Sequence, residues 1–172
     1  MHIRNVSLAD ADTLLNFSKK TFFDAFAQQN TAENMAIYTA QAFTIEQMER
    51  ELIDPESEFY FVEDEGVLVG YIKLNFGSAQ AEFQEQEGVE ISRIYVSAGH
   101  QNKNIGGLLI NHAASIAQSR ALNYIWLGVW ESNTRAIRFY QRNGFEAFQT
   151  HYFMLGNDKQ TDVLMRRFVH GS

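Results

Sequence analysis

The chain has 172 residues and no cysteine, which excludes a disulfide framework, thiolate metal ligands and a cysteine acyl-enzyme. A hydrophobic share of 45% with a single proline fits one compact unit with a real core rather than a disordered chain. A formal net charge of −7 argues against a nucleic-acid partner and suits either a cationic ligand or plain solubility, and the absence of an apolar run near ~20 residues or a leader pattern predicts no membrane span and a cytoplasmic setting.

His2-Ile3-Arg4-Asn5-Val6 reads as a first strand. Ser7-Leu8-Ala9-Asp10 is an S-x-x-D cap ahead of a helical pattern carried by Leu14, Leu15, Phe17 and Phe22. A second helical region runs from Thr31 through Tyr38, and a third opens with Thr44-Ile45-Glu46-Gln47 and continues to Leu52. Asp54-Pro55-Glu56-Ser57 is a turn, after which Phe59–Glu63 and Val67–Leu74 form a hairpin around Asp64-Glu65-Gly66. Gly77 to Gly88 reads as a polar loop that does not pack. Ile91–Val96 is an alternating strand, a helix runs to about Ala121, Ile125–Trp130 is a strand, and a short helix stops at Asn143-Gly144. Two strands, Phe145 to Met154 and Thr161 to Phe168, flank Gly156-Asn157-Asp158. The order β-α-α-α-β-β-β-α-β-α-β-β predicts one α/β domain over residues 1–172.

Two segments carry chemistry. His100-Gln101-Asn102-Lys103-Asn104-Ile105-Gly106-Gly107 joins a strand to a helix. The first turn of a helix has unpaired N–H groups and partial positive charge, and Gly106 and Gly107 leave those donors open to a phosphate. Neither the P-loop lysine-serine pair nor a full GxGxxG is present. Downstream, Asn133-Thr134-Arg135-Ala136-Ile137-Arg138-Phe139-Tyr140 places Ala136, Phe139 and Tyr140 on one helix face, with Asn133 at its start. The histidines His2, His100, His112, His151 and His170 are scattered without ligand spacing, so no metal site is predicted.

Gln101-x-x-Asn104-x-Gly106 followed by Asn133-x-x-Ala136-Ile137-x-Phe139-Tyr140-x-x-x-Gly144-Phe145 resembles the two hallmarks of the GNAT superfamily of N-acetyltransferases. Thr21–Phe26, Glu33-Asn34-Met35, Ser57–Phe61 and the tail His151-x-Phe153-Met154-x-Gly156-x-Asp158-x-Gln160-Thr161-Asp162 look like its PaiA-type spermidine/spermine N-acetyltransferases, so the similarity covers nearly the whole chain. The resemblance implies a single mixed, mostly antiparallel sheet of about seven strands flanked by helices, splayed after the Ile91–Val96 strand so that acetyl-CoA lies in the gap. It implies direct acetyl transfer in a ternary complex to a primary amine, most readily a polyamine. Acetylation of a protein amino terminus, a lysine or another small amine, or a non-catalytic acyl-CoA-binding module, are the other readings. It leaves room for a homodimer.

The same resemblance assigns the pantetheine arm to backbone groups of Ile94, Tyr95 and Val96, and the pyrophosphate to the N–H groups of Gln101, Asn102, Lys103, Asn104, Ile105, Gly106 and Gly107. Asn104 stands where the family prefers glycine, and asparagine tolerates the left-handed conformation that such a turn requires. Asn133 is either a pantetheine ligand or a helix cap, with Ala136 beside it. Tyr140 is the expected proton donor to the leaving thiolate. For the general base, polyamine acetyltransferases tend to carry glutamate where this chain has Ser92. Strict alternation would put Glu90, Ser92, Ile94 and Val96 on one face, making Glu90 either the base through water or a solvated edge residue. His151 either lines the substrate side or packs at a strand edge.

Overall fold

The computed structural model of the chain describes residues 1–83 and 87–169. Strand β1 (His2–Asn5) leads through a 3-10 turn into helices α1 (Ala11–Phe26), α2 (Ala32–Ala42) and α3 (Ile45–Ile53). Polar residues order the turn before α1 and cap α2 and α3. Asp10 Oδ2 accepts from Ser7 N–H at 2.9 Å, and Thr31 and Thr44 hydroxyls accept from the N–H groups of Asn34 and Gln47, each at 3.1 Å. Each threonine cap satisfies one donor the helix cannot, a contribution of about 1 kcal/mol.

The chain then forms β2 (Ser57–Asp64), β3 (Val67–Asn75), β4 (Gly88–Val96), α4 (Ile105–Ser119), β5 (Tyr124–Trp130), α5 (Thr134–Arg142), β6 (Glu146–Leu155) and β7 (Asp158–Phe168). The strands build one seven-stranded sheet in the order β1-β2-β3-β4-β5-β7-β6. Only β4 and β5 run parallel, because α4 must cross between them; every other neighbouring pair is antiparallel. This is the GNAT arrangement expected from the motifs. Among the described residues no helix is long and apolar enough to cross a membrane.

Alternation along the strands sends apolar side chains to both faces. Ile72, Leu74, Val89, Ile91, Ile125, Leu127 and Val129 pack under α4, whose Ile105, Leu109, Ile110 and Ala113 are buried. Phe59, Phe61 and Tyr71 meet Leu14, Phe22, Met35 and Met48 from α1, α2 and α3 on the other face. Phe22, Tyr38 and Phe43 stack there, with Phe22 and Tyr38 rings 4.8 Å apart. Two parts of the amino-terminal and tail signatures meet. Asn34 Oδ1 accepts from Asn157 N–H at 3.0 Å, and Gln160 Nε2 donates to Asn30 Oδ1 at 2.8 Å, docking the start of α2 on the β6–β7 turn.

Two expectations are corrected. The segment after β3 does pack: Gln80 is 1% exposed and its Oε1 accepts from Trp126 Nε1–H at 2.8 Å, while Phe83 meets the Trp126 ring edge-on. A buried indole N–H needs an acceptor, and this loop supplies it. Residues 84–86 of that segment lie outside the described residues. The second correction concerns β4. Lys73 faces Arg93 and Leu74 faces Ile91, so Ser92 has no partner and forms a β-bulge. A one-residue bulge reverses the alternation beyond it. Ile94 and Val96 therefore join Val89 and Ile91 on the α4 face, while Tyr95 packs with Tyr71 on the opposite one. Glu90, between Val89 and Ile91, points to the Tyr95 face and does not share a face with Ile94 and Val96.

Candidate active site

Strands β4 and β5 pair only at Gly88–Tyr124, Val89–Ile125 and Glu90–Trp126. Beyond those three rungs the strands part, although β4 stays on β3 as far as Val96 and β5 stays on β7 as far as Trp130. Residues Ile91–Val96 and Leu127–Trp130 thus each turn one backbone edge, with its N–H and C=O groups, toward a gap. Such groups require partners, and an extended amide-bearing chain provides them as a strand would. Ile94, Tyr95 and Val96 lie on this open edge.

Helix α4 begins beside the gap. A 3-10 turn over Ala98–Lys103 delivers the chain to Asn104, whose φ of 57° and ψ of 30° are left-handed, as its side chain permits. Helices α2, α3 and α5 are capped by side chains, whereas α4, like α1, has no side-chain cap hydrogen bond at its start. The first-turn N–H groups at Ile105, Gly106 and Gly107 are thereby left for an anion, aided by the helix dipole. Gln101, Asn102, Lys103 and Asn104 are exposed. Lys103 Nζ already bonds Asp64 Oδ2 at 3.2 Å, so its charge is shared with the β2–β3 turn.

The two glycines also have packing neighbours close by. A Cβ on Gly106 would lie 2.7 Å from the Phe139 ring, and one on Gly107 would strike the Asn104 side chain. Gly106 allows close packing of α4 on α5, whereas the Asn104 side chain over Gly107 is exposed and could turn away.

On α5, Asn133 Oδ1 accepts from Ala136 N–H at 3.1 Å, so of its two readings the helix cap is realised. Ala136, Phe139 and Tyr140 face the α4 core. The Tyr140 ring meets Phe139 and Phe145 edge-on at 5.4 and 5.7 Å. Its hydroxyl has no hydrogen-bond partner among the described residues. Burial pushes its pKa well above the ordinary tyrosine range, so the proton is retained at neutral pH.

Glu90 is 9% exposed and accepts from Ala81 N–H at 2.9 Å and from Asn75 Nδ2 at 3.3 Å. It is not a solvated edge residue. Burial raises its pKa against the pull of those two donors. On the same face, Lys73 Nζ and Arg93 Nη1 approach Glu51 Oε1 at 2.8 and 2.9 Å, all three side chains largely buried. Arg93 and Lys73 hold the Glu51 carboxyl down at about 2 despite burial. The Lys73 ammonium moves the other way, lowered by burial and by Arg93.

Across the gap lies a second cluster that the sequence reading did not assemble. His151 on β6 has Nδ1 2.8 Å from Glu82 Oε2 and Nε2 3.4 Å from Asp162 Oδ2 on β7. Burial raises the Asp162 pKa, opposed by His151. Both lie over Gly128, whose missing Cβ would be 3.3 Å from Asp162 Oδ2 and 3.7 Å from His151 Nε2. Gly128 is exposed although Leu127 and Val129 beside it are buried, so it floors an open depression two residues past the last β4–β5 rung. The signal was in the tail: counting outward from the β6–β7 turn pairs His151 with Asp162. A separate hollow of about 350 Å³, lined by Phe23, Ala27, Ala32, Met35, Ala36 and Thr39, is apolar, carries no titratable group and belongs to the α1–α2 surface.

Comparison with known proteins follows this geometry. Residues 19–145 match the profile of the Acetyltransferase (GNAT) family. The chain is 35% identical over 165 residues to an uncharacterized N-acetyltransferase in the pepI 3' region of Lactobacillus delbrueckii subsp. lactis, covering 96% of this chain and 95% of that one. It is 23% identical over 154 residues to a spermidine N(1)-acetyltransferase of Thermoplasma acidophilum, covering 87% and 91%. The crystal structure of PaiA N-acetyltransferase from Thermoplasma acidophilum in complex with coenzyme A superposes with a TM-score of 0.79 at 20% identity, over 97% of this chain and 98% of that one.

Proposed function

This chain belongs to the GNAT family of acetyltransferases and is an N-acetyltransferase, and on that premise we propose that it moves the acetyl group of acetyl-CoA directly onto the primary amine of a polyamine such as spermidine or spermine. The observation that carries the reading is the parted β4–β5 edge beside the uncapped start of α4. An extended amide arm with a pyrophosphate at one end satisfies both unpaired sets of backbone groups at once. Bound there, acetyl-CoA supplies a thioester carbonyl for attack by the amine.

In this reading the backbone of Ile94, Tyr95 and Val96 holds the arm. The N–H groups from Gln101 through Gly107 receive the pyrophosphate, with Lys103 released from Asp64 to add charge. Asn133 and Ala136 form the wall of α5 that aims Tyr140. Tyr140 O–H, kept protonated by burial, protonates the departing sulfur. Glu90, engaged by Ala81 and Asn75, is an acidic group behind the amine rather than its first contact. The net charge of −7 and the acidic groups at Glu82, Glu90 and Asp162 support a cationic acceptor. We read residues 1–172 as one catalytic domain acting in the cytoplasm, with acceptor and acetyl-CoA bound together.

The test is CoA release measured with spermidine, spermine, monoamines and peptides. Catalytic efficiency highest for the polyamines supports the reading. Transfer confined to peptides or to monoamines overturns the choice of acceptor, and failure of acetyl-CoA to raise the melting temperature overturns the cofactor site.

A further inference from the structure

We propose that His151, fixed between Glu82 and Asp162 above Gly128, is the group that takes the proton from the acceptor amine, and that Asp162 and His151 together form the point at which the ammonium is first held. The inference rests on the acetyl-transfer reading above and supplies the base that reading lacks.

The geometry gives His151 two unlike contacts. Nδ1 is 2.8 Å from Glu82 Oε2, a full hydrogen bond, whereas Nε2 is 3.4 Å from Asp162 Oδ2, long for one. A neutral imidazole has one N–H. Placed on Nδ1, it donates to Glu82 and leaves the Nε2 lone pair facing a carboxylate oxygen. Two acceptors face each other over an exposed floor, an arrangement completed by a donor. A primary ammonium carries three N–H groups and no lone pair, so it can donate to Nε2 and to Oδ2 together.

Gly128 makes the place available. A Cβ there would stand 3.3 Å from Asp162 Oδ2 and from Leu164 Cδ2 and 3.7 Å from His151 Nε2, so a side chain would fill the space over the glycine. The floor belongs to the part of β5 that has left β4, so an amine held there adjoins the gap. Among the described residues, His151 contacts Glu82 from the segment before β4 and Asp162 from β7, and its field also reaches Glu90 on β4. All are acidic, so they favour the arriving ammonium.

The step balances. His151 Nε2 removes one proton from R–NH₃⁺. The free nitrogen lone pair forms the C–N bond as the C–S bond breaks. Tyr140 gives its proton to the sulfur, and the proton lost by the new amide nitrogen restores the tyrosine. His151 releases its proton to solvent through the open depression. One amine and one acetyl-CoA yield one amide, one CoA thiol and one proton.

The experiment uses the intact protein and spermidine in two measurements. Calorimetric titration of spermidine into the CoA-bound protein should show at least ~10-fold weaker binding for Asp162→Asn than for wild type, because one of the ammonium's two acceptors loses its charge. Turnover of spermidine by His151→Gln should fall about 10²-fold near neutral pH, with the acidic limb of the kcat profile flattened and the acetyl-CoA melting shift unchanged. His151→Asn serves in place of His151→Gln if the latter fails to fold. Equal spermidine affinity in Asp162→Asn, or wild-type kcat and pH profile in the histidine variants, overturns the proposal. If Asp162→Asn loses spermidine binding while the wild-type protein binds spermidine but transfers to no amine, the amine site stands and both His151 as the base and the catalytic reading are overturned. No spermidine binding by wild type overturns this site whatever the protein acetylates.

Discussion

Glu51, Lys73 and Arg93 on one side of the gap, and Glu82, His151 and Asp162 on the other, are both acid–base clusters on the same face of one sheet. The first is enclosed. Its carboxylate takes both cations, and the rings of Phe59 and Phe43 lie against Lys73 and Arg93. The second is open above Gly128, and its histidine is more than a quarter exposed. Their ionisation differs in sign: Glu51 is held far below the ordinary carboxylate range, whereas Asp162 and Glu90 are pushed above it. A carboxylate with a lowered pKa stabilises the fold in its charged state, and one with a raised pKa opposes it. The contrast separates a structural brace from groups that the fold tolerates at a cost in stability, as functional groups often are.

The largest effect that would break this comparison is on stability. Glu51→Ala leaves Lys73 and Arg93 buried without their anion and should cost about 3–5 kcal/mol in denaturant unfolding. Asp162→Asn, by contrast, should unfold at the same denaturant concentration as wild type or a slightly higher one. Equal losses in the two variants would make both clusters structural.

The next effect is on rate. Tyr140→Phe removes one hydroxyl without a bonding partner and should keep both the fold and the acetyl-CoA melting shift. Turnover should drop about 10²-fold or more. Wild-type turnover would return Tyr140 to the α4–α5 packing.

Acid titration sharpens the contrast. Glu51 carries an ordinary value of 4.5 when unfolded and about 2 when folded. Its contribution is therefore present above about 4.5 and lost as pH falls toward 2, a loss of roughly 3 kcal/mol. Glu51→Gln should flatten that part of the stability curve. Asp162→Asn should not, because a raised folded value removes a penalty as pH falls instead of a gain.

The smallest effect belongs to Lys103. Exposed and paired to Asp64, it contributes through screened charge alone, so Lys103→Gln should weaken acetyl-CoA binding only several-fold, and less at high salt. A loss of 10²-fold would mean that the lysine, rather than the α4 backbone, carries the anion site. Gly106 is a poor probe of the same site, since any side chain meets Phe139 and disturbs α4 against α5.

Much of the architecture was legible because it is local. Caps at Thr31, Thr44 and Asn133, the hairpin turn at Glu65-Gly66 and the left-handed Asn104 follow from which residues can bond their own neighbours or adopt positive φ. Hydrophobic period then told helix from strand, and the spacing of the two glycine- and tyrosine-bearing motifs gave the family. What the sequence could not determine is where a ladder slips or stops. The unpaired Ser92 moves Ile94 and Val96 away from the face of Glu90, and that bulge depends on how β4 lies against β3. Burial of Glu90 depends on Asn75 and on a loop that reads as solvent-facing. The triad over Gly128 joins residues 82, 128, 151 and 162, brought together by the β6–β7 hairpin and by the parting of β4 from β5. Local hydrogen bonding and side-chain volume act over a few residues and are written in the chain; register, burial and the environment of a charge are sums over distant segments, and only the folded sheet sets them.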